Sequence, residues 1–210
     1  LATFLPSVPG RRLCLADCGA NVDCKPERME QFALMATALM QSCGVEEPRV
    51  GLLSVGVEES KGSHFIREVY DLLERLPIRF TGMMEARDAL SGEYDVIVAE
   101  GFSGNVLLKT MEGVGSFAGS ALKAMFKKNL LTKLAALCVM PGLNAFKAKL
   151  DPNKVGGTAF IGISKPVIKA HGASNAEAID NAIGQARQVA ESGIIGQIQE
   201  NVHLMQIQAE

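Results

Sequence analysis

Four short stretches of this 210-residue chain set glycine beside side chains able to donate hydrogen bonds to an anion. Positions 17–26 (DCGANVDCKP) carry Asn21 and Lys25, and positions 56–63 (GVEESKGS) carry Lys61 and Ser63. Positions 101–109 (GFSGNVLLK) carry Ser103, Asn105 and Lys109, and positions 169–174 (KAHGAS) carry Lys169 and His171. Each stretch follows a short apolar run and precedes a segment of helical period. In an open α/β sheet, turns of this design collect backbone N–H groups and helix N-termini at the carboxyl edge, where anions bind. Several such turns converging on one edge suit a phosphate-bearing substrate. Taken singly, each lysine is equally a surface charge, and His171 a helix-entry hydrogen bond.

Other chemistries lack their signatures. Gly113, Gly115 and Gly119 approach GxGxxG but lie within a helical pattern with the wrong final spacing, and Lys61-Gly62-Ser63 reverses the P-loop order. No GxSxG elbow occurs, and the thiols have no base partner in sequence, so covalent catalysis is not indicated. Cys14, Cys18 and Cys24 sit near Asp17 and Asp23, but without a CxxC pair or matching histidine spacing they read as plain thiols, and no metal or cofactor is expected. The odd count of five cysteines, with no signal peptide and no membrane-spanning run, fits a reducing cytoplasm. A net charge of -2 and the absence of a basic run interleaved with aromatics argue against nucleic acid.

The elements that must hold these loops are legible as alternating strands and helices, the pattern of βαβ units in a mostly parallel sheet. Strands are predicted at 13–16, 50–55, 78–81 and 95–99. Pro26 suits the first turn of a helix whose apolar face includes Phe32, Ala36, Leu39 and Cys43. A second helix follows Ser63, and a short one lies near 86–90. Past the hairpin described next, strands are predicted at 159–163 and 167–170. A capping box of Ser174 with Glu177 then opens a helix, and a final helix starts from about Gly196.

From Gly104 the period changes. Leu107, Met111, Val114, Ala118, Ala121 and Met125 recur at spacings of four and three along one seam, with Gly115 and Gly119 permitting close backbone approach. A second helical stretch carries Leu130, Leu134, Leu137 and Phe146, with Pro141 as a kink or restart. The expected organisation is therefore a sheet domain over 1–104, a helical hairpin over 105–150, and the remaining strands and helices over 151–210. One sheet cannot bury all the seams of such a hairpin, so a second copy is its simplest cover, with packing onto its own core as the alternative. Between positions 113 and 150 the lysines, Lys123, Lys127, Lys128 and Lys133 among them, are joined by no acidic residue. They form either a solvated face or a docking surface for an acidic carrier protein or an anionic bilayer.

The runs LADCGANVDCKPE, VGLLSVGVEESKG, DVIVAEGFSGNVLLKTMEG, VGGTAFIGI and IKAHGASNAEAIDNAI make the chain resemble the phosphate acyltransferase family of phospholipid synthesis, the PlsX family, in order and over nearly its whole length. The resemblance implies a three-layer, open α/β fold like isocitrate and isopropylmalate dehydrogenases and a homodimer joined through the hairpin. It also implies acyl carrier protein as acyl donor to inorganic phosphate. Val57 and Ser60 stand where the family usually has Thr and Gly, and Glu100 where it has Asp. The family also carries an N-terminal region with a DAMGGD turn that has no counterpart here, so this stretch alone is expected to turn over poorly.

A thioester is already activated and phosphate is already a competent nucleophile, so direct attack in a ternary complex is the expected mechanism. On this reading Lys61, Asn105 and Lys109 hold phosphate and the oxyanion, and His171 donates to the departing thiolate. Asn21, Lys25, Ser63, Ser103 and Lys169 complete the substrate site. The competing readings are a phosphotransacetylase using coenzyme A, and a scaffold binding carrier protein or a peripheral membrane surface without catalysis.

Overall fold

Apolar residues alternate along the central strands, so the sheet has two faces to bury. Leu13, Leu15 and Ile97 point to one face, while Cys14, Ala16, Val96 and Val98 point to the other, all of them buried. The computed structural model describes residues 1–8, 10–149, 157–170, 172 and 174–200. Its sheet has the order β4-β3-β5-β2-β1-β6-β7, from β1 (Ala2–Ser7), β2 (Arg11–Ala16), β3 (Arg49–Ser54), β4 (Arg79–Glu85), β5 (Val96–Val98), β6 (Thr158–Phe160) and β7 (Val167–Lys169). β4, β3, β5 and β2 are mutually parallel, and β6 shares their direction, whereas β1 and β7 run opposite. This is a mixed, mostly parallel α/β sheet, as expected.

Helices cover both faces. On one, α1 (Pro26–Ser42), α2 (His64–Leu73) and α6 (Ile194–Glu200) bring Met29, Phe32, Leu39, Val69, Leu73 and Ile194 onto the strands. On the other, Leu107 of α3 (Gly101–Lys127) joins Leu5, Leu13, Leu15 and Met84. Each fully buried leucine there contributes about 1.5–3 kcal/mol. α4 (Leu130–Lys149) returns along α3, and α5 (Ala176–Glu191) follows β7.

Local chemistry sets the helix ends. Pro26 occupies the first turn of α1. That helix stops at Gly44 (φ +89), where Gly44 and Val45 donate to Gln41 and Met40 in a Schellman arrangement. Ser63 caps α2 by accepting from the Ile66 N–H at 3.3 Å. Between α3 and α4, the Asn129 side chain accepts from the Thr132 N–H at 2.9 Å, and Thr132 Oγ1 accepts from the Asn129 N–H at 3.0 Å.

Several elements depart from the sequence reading. β1 was not foreseen, and it forms an antiparallel hairpin with β2. The cap of α5 is Asn175, whose side chain accepts from the Ala178 N–H at 2.9 Å, rather than Ser174 with Glu177. α3 begins at Gly101, α6 begins at Ile194, and α4 continues through Pro141. Within the hairpin, Gly115, Ala118, Leu122 and Phe126 are the less exposed positions of α3, while Val114 and Met125 of the expected seam face outward. A Cβ at Gly115 or Gly119 would meet nothing within 4 Å, so neither glycine marks a close approach within this chain. No described helix is long and apolar enough to cross a membrane.

At the amino edge, Arg49 clamps Asp95 with Nε and Nη2 at 2.7 and 2.9 Å, and Nη2 also donates to the Gly92 carbonyl. Burial pushes the Asp95 carboxyl up, but the Arg49 guanidinium and backbone N–H outweigh it, and it ends below the ordinary carboxylate range. A carboxyl depressed on folding stabilises above its unfolded pKa of about 3.9, and that stabilisation is lost as pH falls through the folded value. Asp95→Asn should therefore cost about 2–3 kcal/mol at pH 7 in urea unfolding, and the gap from wild type should shrink as pH falls below about 4. A gap unchanged between pH 7 and pH 3 would show that the fork is not coupled to folding.

Candidate active site

Because β3, β5 and β2 are adjacent and parallel, the turns that follow them emerge at one edge of the sheet. The turn after β2 is organised by Asp17, whose side chain is fully buried. Its carboxylate accepts from the N–H groups of Gly19, Ala20 and Asn21, the last at 2.6 Å, and from Asn21 Nδ2 at 3.1 Å. The Leu1 nitrogen donates to Oδ1 at 2.8 Å. Burial pushes this carboxyl up, and the backbone N–H and carboxamide of Asn21 pull it down. The Asp17 N–H donates to the Ala99 carbonyl at 2.8 Å, tying the turn to the end of β5.

The turn then receives α3. Gly101 donates to the Asn21 carbonyl at 2.8 Å. A Cβ on Gly101 would lie 2.5 Å from the Asn21 oxygen, and one on Gly104 would lie 1.9 Å from the Asp17 oxygen. Only glycine lets the helix come this close to another backbone. Asn105, on the next step of α3, lies beside Gly19 (φ +127), its Cγ 3.5 Å from where a Cβ on Gly19 would sit.

Most backbone donors expected to hold an anion are already engaged by the protein. Glu100 caps α3, accepting from Phe102 and Ser103 N–H groups at 2.8 and 3.1 Å, and Ser103 Oγ donates to its other oxygen. Gly104 donates to the Glu100 carbonyl at 2.9 Å. In the first turn, Asp17 takes the N–H groups of residues 19–21. What these two turns offer an anion is therefore side chains: the exposed Asn105 and Lys25, and what remains of the Asn21 carboxamide.

The other sequence-predicted residues fall as follows. Lys61 is exposed in the turn after β3, with its stem over Gly56. Ser63 spends its hydroxyl as the α2 cap. Lys109 lies one turn beyond Asn105 and pairs with Glu112 at 2.7 Å on the exposed side of α3. Lys169 ends β7, which runs opposite to β2, so its strand does not deliver the fourth loop to the edge as the other three are delivered. Burial pushes the Cys18 thiol up to about 11, with Asp17 raising it and the Lys169 charge lowering it. His171 lies outside the described residues. Lys123, Lys127, Lys128 and Lys133 are exposed at the far end of the hairpin. Among the described residues no cluster of His, Cys, Asp or Glu could hold a metal ion. A cleft of about 440 Å³, lined by Phe4, Arg12, Ile183 and Arg187, opens between β1, β2, α1 and α5, away from this edge.

Asp17 was weighed from sequence only beside the thiols and Glu100 only as a departure from the family pattern, and neither they nor Gly101 and Gly104 were given a role at this edge. The signal for Asp17 was present: an Asp followed by glycine and small residues is an Asx turn, whose side chain accepts from N–H groups just ahead of it.

Fold and edge together define an α/β protein whose carboxyl-edge turns carry exposed amide and ammonium side chains. The chain matches the family described as "Fatty acid synthesis protein" over residues 1–197, and it belongs to that family. Proteins named phosphate acyltransferase are similar to it. That of Thermoanaerobacterium thermosaccharolyticum is 42% identical over 98% of this chain and 62% of its own length. That of Oceanobacillus iheyensis is 46% identical over 91% of this chain and 58% of its own. The chain thus spans about three-fifths of the length of the curated relatives it matches. Among solved structures, a Staphylococcus aureus EutD phosphotransacetylase aligns over 55% of this chain and 42% of its own, at 19% identity and a TM-score of 0.45.

The Gly104 contact sets a test of the architecture. Gly104→Ala drives a methyl into a backbone carbonyl that cannot rotate away, and should cost about 3 kcal/mol, read as a lowered denaturation midpoint. Gly119→Ala, on open surface of the same helix, should gain up to about 1 kcal/mol. Equal effects at the two positions would show that α3 is not seated on the Asp17 turn.

Proposed function

We propose that this chain carries the phosphate-handling part of a phosphate acyltransferase, which moves a fatty acyl group from acyl carrier protein to inorganic phosphate for phospholipid synthesis. The observation that carries the reading is the seating of α3 on the Asp17 turn, which sets Asn105 beside Gly19 and ties Gly101 to Asn21 at one sheet edge. The names of its relatives supply the substrate class.

A phosphate oxygen attacks the thioester carbonyl carbon, the tetrahedral intermediate collapses, the carbon–sulfur bond breaks, and the proton carried by phosphate ends on the departing thiolate. The products are acyl phosphate and free thiol. Lys61, Lys25 and Asn105 suit the anions electrostatically, and the Lys109 ammonium joins them only by leaving Glu112. Holding both reactants in line can supply up to about 7–11 kcal/mol, and each oxyanion donor about 3–4, so no protein nucleophile is required. His171 remains the proposed proton carrier.

The hairpin supports the partner side of this reading. Phe117 and Leu131 are 74% and 78% exposed, an apolar surface suited to a second copy, and the lysines at its far end suit an acidic carrier protein or an anionic bilayer. Phe117→Glu should halve the mass seen by light scattering; an unchanged mass would remove the hairpin from the dimer.

Activity is tested in the full-length protein by following acyl phosphate. Asn105→Ala and Lys61→Ala should each lower kcat/KM on the order of 100-fold. Lys109→Ala or His171→Ala with no loss would remove that residue from the scheme. Faster turnover of coenzyme A thioesters than of carrier-protein thioesters would point to a phosphotransacetylase, and no acyl phosphate from either would leave a scaffold.

A further inference from the structure

We propose that Asp17 is a positioning residue for this site: from inside the fold, its carboxylate sets the orientation of Asn21 and the placement of Asn105 without itself touching a reactant. The inference rests on the acyltransferase reading and assigns a role that this reading leaves empty.

Three observations lead to it. First, the carboxylate is buried and its oxygens face N–H groups from Gly19, Ala20 and Asn21, so the turn has its path dictated by one side chain. Second, Asn21 Nδ2 also donates to Asp17, which decides which end of that carboxamide points inward. The carbonyl oxygen and one amide hydrogen are left for the outside. Third, both ends of the same turn bear on α3. The Asn21 carbonyl accepts from Gly101, and the Asp17 carbonyl abuts Gly104, one residue before Asn105. A shift of the turn therefore moves both carboxamides.

Asp17→Asn keeps the volume and exchanges one acceptor oxygen for an NH2 group. That group faces N–H donors, so part of the turn loses its anchor and the Asn21 carboxamide loses its fixed sense. A displacement of about 1 Å at a site that works by alignment costs on the order of 100-fold in rate.

The experiment is a double-mutant cycle in the intact protein, with inorganic phosphate varied at saturating thioester. Asp17→Asn should lower kcat/KM for phosphate about 100-fold while the KM for thioester stays within about threefold. In an Asn21→Ala background the same change should cost no more than about tenfold, because only the placement of Asn105 is left to disturb. A purely structural Asp17 would give additive losses and disturb both substrates alike. Additivity, or an Asp17→Asn enzyme within threefold of wild type, overturns the inference. Should Asp17→Asn not fold, the cycle is run between Asn21→Ala and Asn105→Ala: coupled losses support a shared placement, and additive ones overturn it. Should wild type make no acyl phosphate, the acyltransferase reading fails by itself. The positioning role is then read from the side-chain amide resonances of Asn21 and Asn105 during a phosphate titration. They should shift together in wild type and lose that response in Asp17→Asn, or, should that variant not fold, the Asn105 resonance should lose it in Asn21→Ala; responses unchanged by the variant, or absent from wild type, overturn it.

Discussion

A carboxylate taken out of water must be surrounded by donors, and Asp17 meets that requirement almost entirely with backbone. One negative charge at the end of β2 thus draws three consecutive peptide N–H groups and a neighbouring carboxamide around itself. The rest of the sheet edge is built on the result. The closed turn presents the carbonyls of Asp17 and Asn21 to α3, and the helix can reach them because its first and fourth residues are Gly101 and Gly104. Charge, turn and glycine spacing form one device, and none of the three has a use without the other two.

The same economy changes how the edge can treat a substrate. Helix N-termini and glycine turns attract anions because their N–H groups are unsatisfied. Here Glu100 and Asp17 satisfy them from within. An incoming anion is left with flexible ammonium groups and amide side chains, and it meets two carboxylates close by.

The α/β class was legible because strand and helix periods alternate cleanly over the first ninety-odd residues. β1 was hidden by its composition, since Pro6 interrupts it and its polar residues Thr3 and Ser7 lie on its buried side. The direction of β7 could have been read but was missed, since the short connection from β6 to β7 leaves no room for the crossover a parallel pair needs. At the site, residue types near the edge could be read, but their commitments could not. Ser63 and Ser103 are hydroxyls in the right loops, yet one caps a helix and the other serves Glu100. Lys109 is a cation in the right loop, yet Glu112 three residues on competes for it. Such pairings are decided by rotamers and helix faces.

α3 is also a single unbroken rod of 27 residues, about 40 Å long. Its base rests on two glycines against the Asp17 turn, and its tip carries Lys123 and Lys127. A rod seated at one end acts as a lever with its fulcrum at Gly101 and Gly104. Asn105 sits almost on that fulcrum, so a sideways push at the tip arrives there strongly reduced, whereas rotation about the rod's own axis arrives in full. Twist is therefore the motion by which events at the far end can be felt where Asn105 stands.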